Sequence, residues 1–206
     1  MISLATKVGI ACLALTSVAG AFALTAQDKP KPKEKDTKAM EMPAMPGPEK
    51  EHAWLQQFVG EWTFEAECSM GPDQQPMKNT GTERVRSLGG FWIVGEGSAE
   101  MMGQKMSTLL TLGYDTQRKK YVGSWVDSMT SFMWAYTGTV DAAGKTLTLE
   151  TEGPNFMEAG KTCKFREVLE IKGKNSKMHT ASMLGDDGKW TTFMTAKYQR
   201  KEQAGR

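Results

Sequence analysis

The chain has 206 residues, 39% hydrophobic and 24% charged, with 26 basic against 24 acidic side chains and a formal net charge of +2. That length suits one domain with tails. The near balance of charge supplies no basic field for nucleic acid, and the polar composition excludes a polytopic membrane protein. With 21 glycines, six tryptophans and long β-branched stretches, the composition leans towards an all-β domain.

In chain order, Met1 to Lys7 is short and carries one basic side chain. Val8 to Leu24 then runs without a charge, closes on Ala21-Phe22-Ala23, and gives way to polar sequence at Asp28. This reads as a secretory signal over residues 1–26 and implies a secreted or periplasmic protein, with a retained anchor as the alternative. Signal removal takes Cys12 and leaves Cys68 and Cys163. No CxxC spacing exists, which argues against a zinc knuckle or a thioredoxin-like site. In an oxidising compartment the two remaining thiols could pair, provided their strands are neighbours. Residues 27–50 are built of Lys, Glu, Asp and Pro without apolar periodicity, and are expected to be a disordered leader.

The domain proper is expected over residues 51–202. Trp54, Leu55, Phe58 and Val59 share one face of a short helix that Gly60 ends. Period two then takes over. Trp62, Phe64, Ala66, Cys68 and Met70 lie on one face of the first strand, and Thr63, Glu65, Glu67 and Ser69 on the other. Further strands are read near 77–87, 91–99, 104–114, 121–128, 131–140, 146–152, 162–171, 176–184 and 190–200. Gly71-Pro72-Asp73, Gly89-Gly90, Asp115-Thr116-Gln117, Asp141-Ala142-Ala143-Gly144, Gly173-Lys174-Asn175 and Gly185-Asp186-Asp187-Gly188 mark the turns. No connection is long enough for a parallel crossover. About ten short antiparallel strands must hide their edges, so an up-and-down barrel is expected, with a sandwich as the alternative.

These motifs resemble a bacterial family, the domain of unknown function 1579. The likeness rests on Leu55, Gly60-Glu61-Trp62, Leu88-Gly89-Gly90, Gly113-Tyr114-Asp115 and Lys119-Lys120-Tyr121-Val122. It continues through Trp125-Val126-Asp127-Ser128-Met129, Gly144-Lys145-Thr146-Leu147-Thr148-Leu149, Asp187-Gly188-Lys189 and Tyr198-Gln199-Arg200-Lys201. The resemblance implies a β-barrel-like domain and supplies no agreed activity. A looser likeness is to the lipocalin and fatty-acid-binding barrels. There a tryptophan on the first strand packs at the barrel floor under a basic residue from the last strand. Trp62 and Arg200 stand where that resemblance would put the pair.

On strands 121–128 and 131–140 the aromatics Tyr121, Trp125, Phe132, Trp134 and Tyr136 fall on alternate positions, and Trp92 and Trp62 complete the set. Facing inward, these rings would line a lumen too wide for side chains alone to fill, giving walls for a small ligand. The alternatives are a filled core or an outward patch. Charged residues interrupt the apolar alternation at Glu83, Glu96, Asp127 and Arg166; Asp127 shares the parity of Tyr121 and Trp125 and is the expected polar contact, with Glu167 a similar candidate. His179 is read at the parity of Lys177 rather than Met178. The 15 methionines include Met40, Met42 and Met45, whose thioethers suit Cu(I) and define a rival, metal-handling reading. No nucleophile elbow and no phosphate-cradling glycine loop is found, so neither enzyme activity nor a cofactor is expected. The expected partner is a small apolar or amphiphilic ligand, without nucleic acid and without stable membrane insertion once the signal is cleaved.

Overall fold

The structure, a computed structural model, describes residues 45–69, 75–101 and 103–202. The signal segment, the leader up to Ala44 with Met40 and Met42, and the Gly71-Pro72-Asp73 turn lie outside the described residues. A helix α1 (Lys50–Leu55) runs into one 3-10 turn (Gln56–Phe58). Ten strands follow: β1 (Gly60–Cys68), β2 (Met77–Leu88), β3 (Trp92–Met101), β4 (Gln104–Asp115), β5 (Lys120–Asp127), β6 (Trp134–Val140), β7 (Thr146–Pro154), β8 (Thr162–Gly173), β9 (Ser176–Leu184) and β10 (Trp190–Arg200).

Each strand pairs antiparallel with its sequence neighbour, and β1 pairs with β10 to close a barrel. Closure removes both edges and decides against the sandwich. The seam runs from Trp62 opposite Arg200 to Cys68 opposite Met194.

Short acidic or amide side chains shape the hairpins. Asp115 Oδ1 accepts from the backbone of Gln117 and Arg118, both at 2.9 Å. Asp141 Oδ1 accepts from Lys145 (2.8 Å) and Thr146 (3.1 Å), and these donors hold its carboxyl below the usual carboxylate range. Asn155 and Asp187 make the same kind of bond, to Met157 (2.8 Å) and Lys189 (3.0 Å). Such Asx turns bend the backbone without asking the following residue for a sheet bond.

One end of the barrel is filled. Leu55, Phe58, Trp62, Val85, Ile93, Leu112, Leu147 and Leu149 are buried there with Tyr121 and Leu169, and each large apolar side chain contributes roughly 1.5–3 kcal/mol. The helix plugs that end and is tied across it. Trp54 Nε1 donates to Gly144 O (2.7 Å) and the Tyr121 hydroxyl to Glu51 O (3.1 Å). His52 Nδ1 accepts from Glu49 N (2.9 Å), and its Nε2 donates to Tyr114 O (3.1 Å). Both imidazole nitrogens are therefore committed to structure.

Arg200 locks the plug to the seam. Its Nη1 donates to Val59 O (2.6 Å), Nη2 to Gln57 O (2.9 Å) and Nε to Lys174 O (3.1 Å). The guanidinium carbon sits 4.1 Å from the Trp62 ring centroid, and Trp62 Nε1 donates to Phe58 O (2.9 Å). The last carbonyls of the helical turn thus find partners on the barrel. Gly60 has φ of 141°, and a Cβ there would collide with Arg200 Nη1, so only glycine admits the clamp.

The outward face is polar: Glu61, Thr63, Glu65 and Glu67 on β1, and Lys78, Arg84 and Arg86 on β2, are exposed. That alternation is the reverse of a lipid-facing barrel band. Among the described residues no helix is long and apolar enough to cross a membrane.

Replacing Arg200 with Ala is expected to lower unfolding free energy by about 2–4 kcal/mol, measured by urea unfolding of the full chain. Arg200→Lys should recover little, because an ammonium cannot serve three carbonyls from one planar group.

Candidate functional site

Above the filled floor the inward residues turn polar. Lys177 on β9 is 5% exposed, and its Nζ is 2.5 Å from Glu83 Oε2 on β2, inside the barrel and over the β1–β10 seam. The ammonium also lies 4.3 Å from the Tyr198 ring centroid, 4.8 Å from Trp62 and 5.5 Å from Phe58. Burial pushes this lysine below its ordinary value, while Glu83 opposes that shift. Glu83 itself lies against Gly95, where a larger residue would press on the carboxylate.

Next along the lumen stands a second pair, His179 Nε2 to Glu167 Oε2 at 2.6 Å, with side chains 22% and 13% exposed. A carboxylate accepts, so the Nε2 proton points at Glu167 and Nδ1 remains. Tyr136 and Tyr198 share this level. Burial, and then the charge of Glu167, raises the Tyr136 phenol well above its ordinary value; Tyr198 is raised by burial, then by Glu83 and Glu167. Neither hydroxyl makes a hydrogen bond among the described residues. Inside a closed wall, side chains stay partly exposed only if the lumen is open to solvent. Phe64, Tyr136, Glu167, His179, Met183, Met194 and Tyr198 all do.

Towards the other end the lining is aromatic. Trp134 on β6 packs on Phe132 (4.9 Å), Phe165 (4.8 Å) and Phe156 (6.0 Å), and Phe156 reaches Phe193 (5.8 Å). A Cβ at Gly153 would run into the Trp134 and Phe132 rings, so the glycine gives the indole its seat. Trp125 stands opposite Trp134 across the β5–β6 pair and is half-buried. Phe156 is 47% exposed at the mouth.

The residues marked by the sequence fall in three places. Trp125, Trp134 and Tyr136 line the lumen from its mouth to its polar level. Tyr121 is inward but belongs to the floor, under the helix, where burial raises its phenol to about 12. Trp62 and Arg200 meet at the floor as described.

Two expectations need correction. Trp92 lies on the outer face beside inward Ile93, 38% exposed and spread over Gly113, so it does not line the lumen. Asp127 does not offer its carboxylate to the interior. Oδ1 accepts from Met129 N (2.6 Å) and Thr130 N (2.8 Å), and Oδ2 from the Thr130 hydroxyl (3.0 Å). It is a turn cap, and that turn delays β6 to Trp134 rather than residue 131.

Of the other interrupting charges, Glu83 and Glu167 face inward. Arg166 faces outward, 4.0 Å from the Trp190 centroid and paired with Glu150 at 2.8 Å; Glu96 is exposed. Lys177 was not singled out by the sequence, although it shares the parity of His179. Cys68 and Cys163 are free thiols, each pushed up by burial. Their strands are separated by β10 and β9, so no disulfide joins them. Met45 is 87% exposed, and among the described residues no group of three His, Cys, Asp or Glu could hold a metal ion.

Two concavities lie outside the lumen. One of about 610 Å³ runs over Thr82, Ser98, Ser107 and Leu109 on the outer wall; the other, about 930 Å³, is lined by Arg84, Arg86, Lys174 and Lys201 beside the floor. Both open to solvent on the outer surface, the second among the basic side chains Arg84, Arg86, Lys174 and Lys201.

Fold and site together define a single-chain, closed, antiparallel barrel with a plugged floor and a partly open, polar-centred lumen. The chain belongs to the family described as protein of unknown function (DUF1579), which matches residues 47–200. No curated protein matches the chain. The crystal structure of Rv2717c from M. tuberculosis is similar in fold, with a TM-score of 0.55 at 14% identity, covering 72% of this chain and 95% of that one. A redesigned β-barrel gives 0.39 at 12% identity, over 76% of this chain and 100% of the other. The structure of EF1p2_mFAP2b bound to DFHBI gives 0.36 at 12%, over 73% and 99%.

Lys177→Met should cost about 3–5 kcal/mol, since it strands Glu83 in the lumen. Adding Glu83→Gln should recover at least half of that loss, read by chemical denaturation of both variants. The chain's four tyrosines, Tyr114, Tyr121, Tyr136 and Tyr198, are all raised, with burial the first cause in each. Unfolded tyrosine ionises near pH ~10, so the folded state gains stability below that pH and loses it as pH rises towards the Tyr121 value of about 12. Ultraviolet titration should show tyrosinate appearing late and together with loss of β circular dichroism.

Proposed function

We propose that the barrel is a non-catalytic carrier for a small, partly apolar molecule held in the lumen. One observation carries the reading: polar side chains with free bonding capacity are partly exposed inside a closed wall, between an apolar floor and an aromatic mouth. A folded chain that needed only stability would fill this space with apolar side chains. The layering suits a guest whose flat apolar body lies among Trp125, Phe132 and Phe156, over the buried Trp134 and Phe165 rings. Its polar end would reach Tyr136, Tyr198 and the Glu167–His179 pair. The role first assigned to Asp127 passes to these groups.

Export belongs to the same proposal. It is supported by the uncharged run Val8 to Leu24 and the small residues Ala21 and Ala23. Protein recovered from its own host should lack these residues by intact mass. Native mass spectrometry of the same preparation should show a co-purifying small molecule.

The uncharged dye N-phenyl-1-naphthylamine should brighten on mixing with the full chain. Trp125→Ala and Trp134→Ala should each weaken that binding by about tenfold or more, while far-ultraviolet circular dichroism stays that of a barrel. Wild-type protein that leaves the dye dark, with an empty mass spectrum, would sink the carrier reading.

A further inference from the structure

We infer that the lumen selects guests bearing an amine or another organic cation over guests bearing a carboxylate; this rests on the carrier reading above. Strands β1, β3, β4, β6 and β7 turn no charged side chain into the barrel. The remaining strands turn in Glu83, Glu167, Lys177, His179 and Arg200, while Asp127 caps its turn at the rim.

The cations are already spent. Arg200 lies beneath the Trp62 indole and donates to three backbone carbonyls of the floor. Lys177 is enclosed by aromatic faces and held by Glu83. A guest entering from the mouth therefore meets Asp127 at the rim and Glu167 further in, with His179, among the described residues, the one uncommitted inward basic group beside them. Asp127 has its lone pairs committed to the loop, but its charge remains.

A guest carboxylate would be desolvated beside Glu167 with neutral donors alone to meet it, a costly exchange. An ammonium would find the other oxygen of Glu167, His179 Nδ1 and the phenol oxygens as acceptors. The mouth adds to this, because rings such as Trp125 and Trp134 attract a cation through their faces and do nothing for an anion.

Three probes that share one apolar body separate the ideas: 4-biphenylmethylamine, 4-biphenylmethanol and 4-biphenylcarboxylate. Each is titrated into the full chain by calorimetry at neutral pH. The amine should bind at least about tenfold tighter than the carboxylate, with the alcohol between them. Glu167→Gln, checked for folding by circular dichroism, should shrink the amine-to-carboxylate ratio to about threefold or less. A carboxylate that binds wild-type protein as tightly as the amine overturns charge selection and leaves the carrier reading standing. Failure of all three probes to bind overturns both. The wild-type comparison decides the matter even if the variant does not fold.

Discussion

The barrel depends on where one guanidinium goes. Arg200 ends the last strand, yet its nitrogens reach the helical turn before the first strand and the turn between β8 and β9. A cation with a fixed fork of donors can join three carbonyls that no backbone ladder would reach. The stack on Trp62 gives the same group an apolar contact, and the indole returns a hydrogen bond to the helix. Seam, plug and floor thus share a single fastening. The lumen is a blind cup because of it.

Polarity within the cup follows from space. The wall of a ten-stranded barrel encloses more volume than its inward side chains fill when several of them are glycine or alanine. At the floor, Trp62, Phe58 and the aliphatic residues fill it, helped by the inserted helix. Higher up, charged and phenolic groups take over, and each ionised group there is met by a counter-charge or by the lumen itself. Glu83 and Lys177 bridge the closing seam from inside, from β2 to β9 past β1 and β10. Such a pair adds little to net stability once desolvation is counted, but losing half of it is expensive.

Much of this was legible in the sequence, and the reasons for the rest are physical. Alternation and turn residues located the ten strands closely, since period two is imposed by the pleat itself. The inward parity of Trp62, Trp125, Trp134 and Tyr136 came from the same rule. Trp92 broke it because a large ring also finds cover on an outer wall when a neighbouring strand offers glycine, here Gly113. Asp127 misled for a different reason: parity reports a direction, not whether the following backbone will claim both oxygens. On β9 Lys177 faces in and Met178 out, against ordinary hydrophobic bias, because Glu83 and three rings await the lysine. Tyr198 is its partner on neighbouring β10, but Glu83, Trp62 and Phe58 lie far away in the chain, and pairing at that separation leaves no local trace.

The meander has a kinetic corollary. Nine of its ten strand pairings join neighbours in the chain through brief connections, so they can assemble one after another from short-range encounters. The tenth, between β1 and β10, must bring together the two ends of the domain and bears the largest loop-closure entropy. Zipping therefore proceeds locally until an open, curled sheet remains, whose two bare margins could join a second chain instead of each other. The arginine that waits at the end of the last strand makes the intramolecular joint the better bargain.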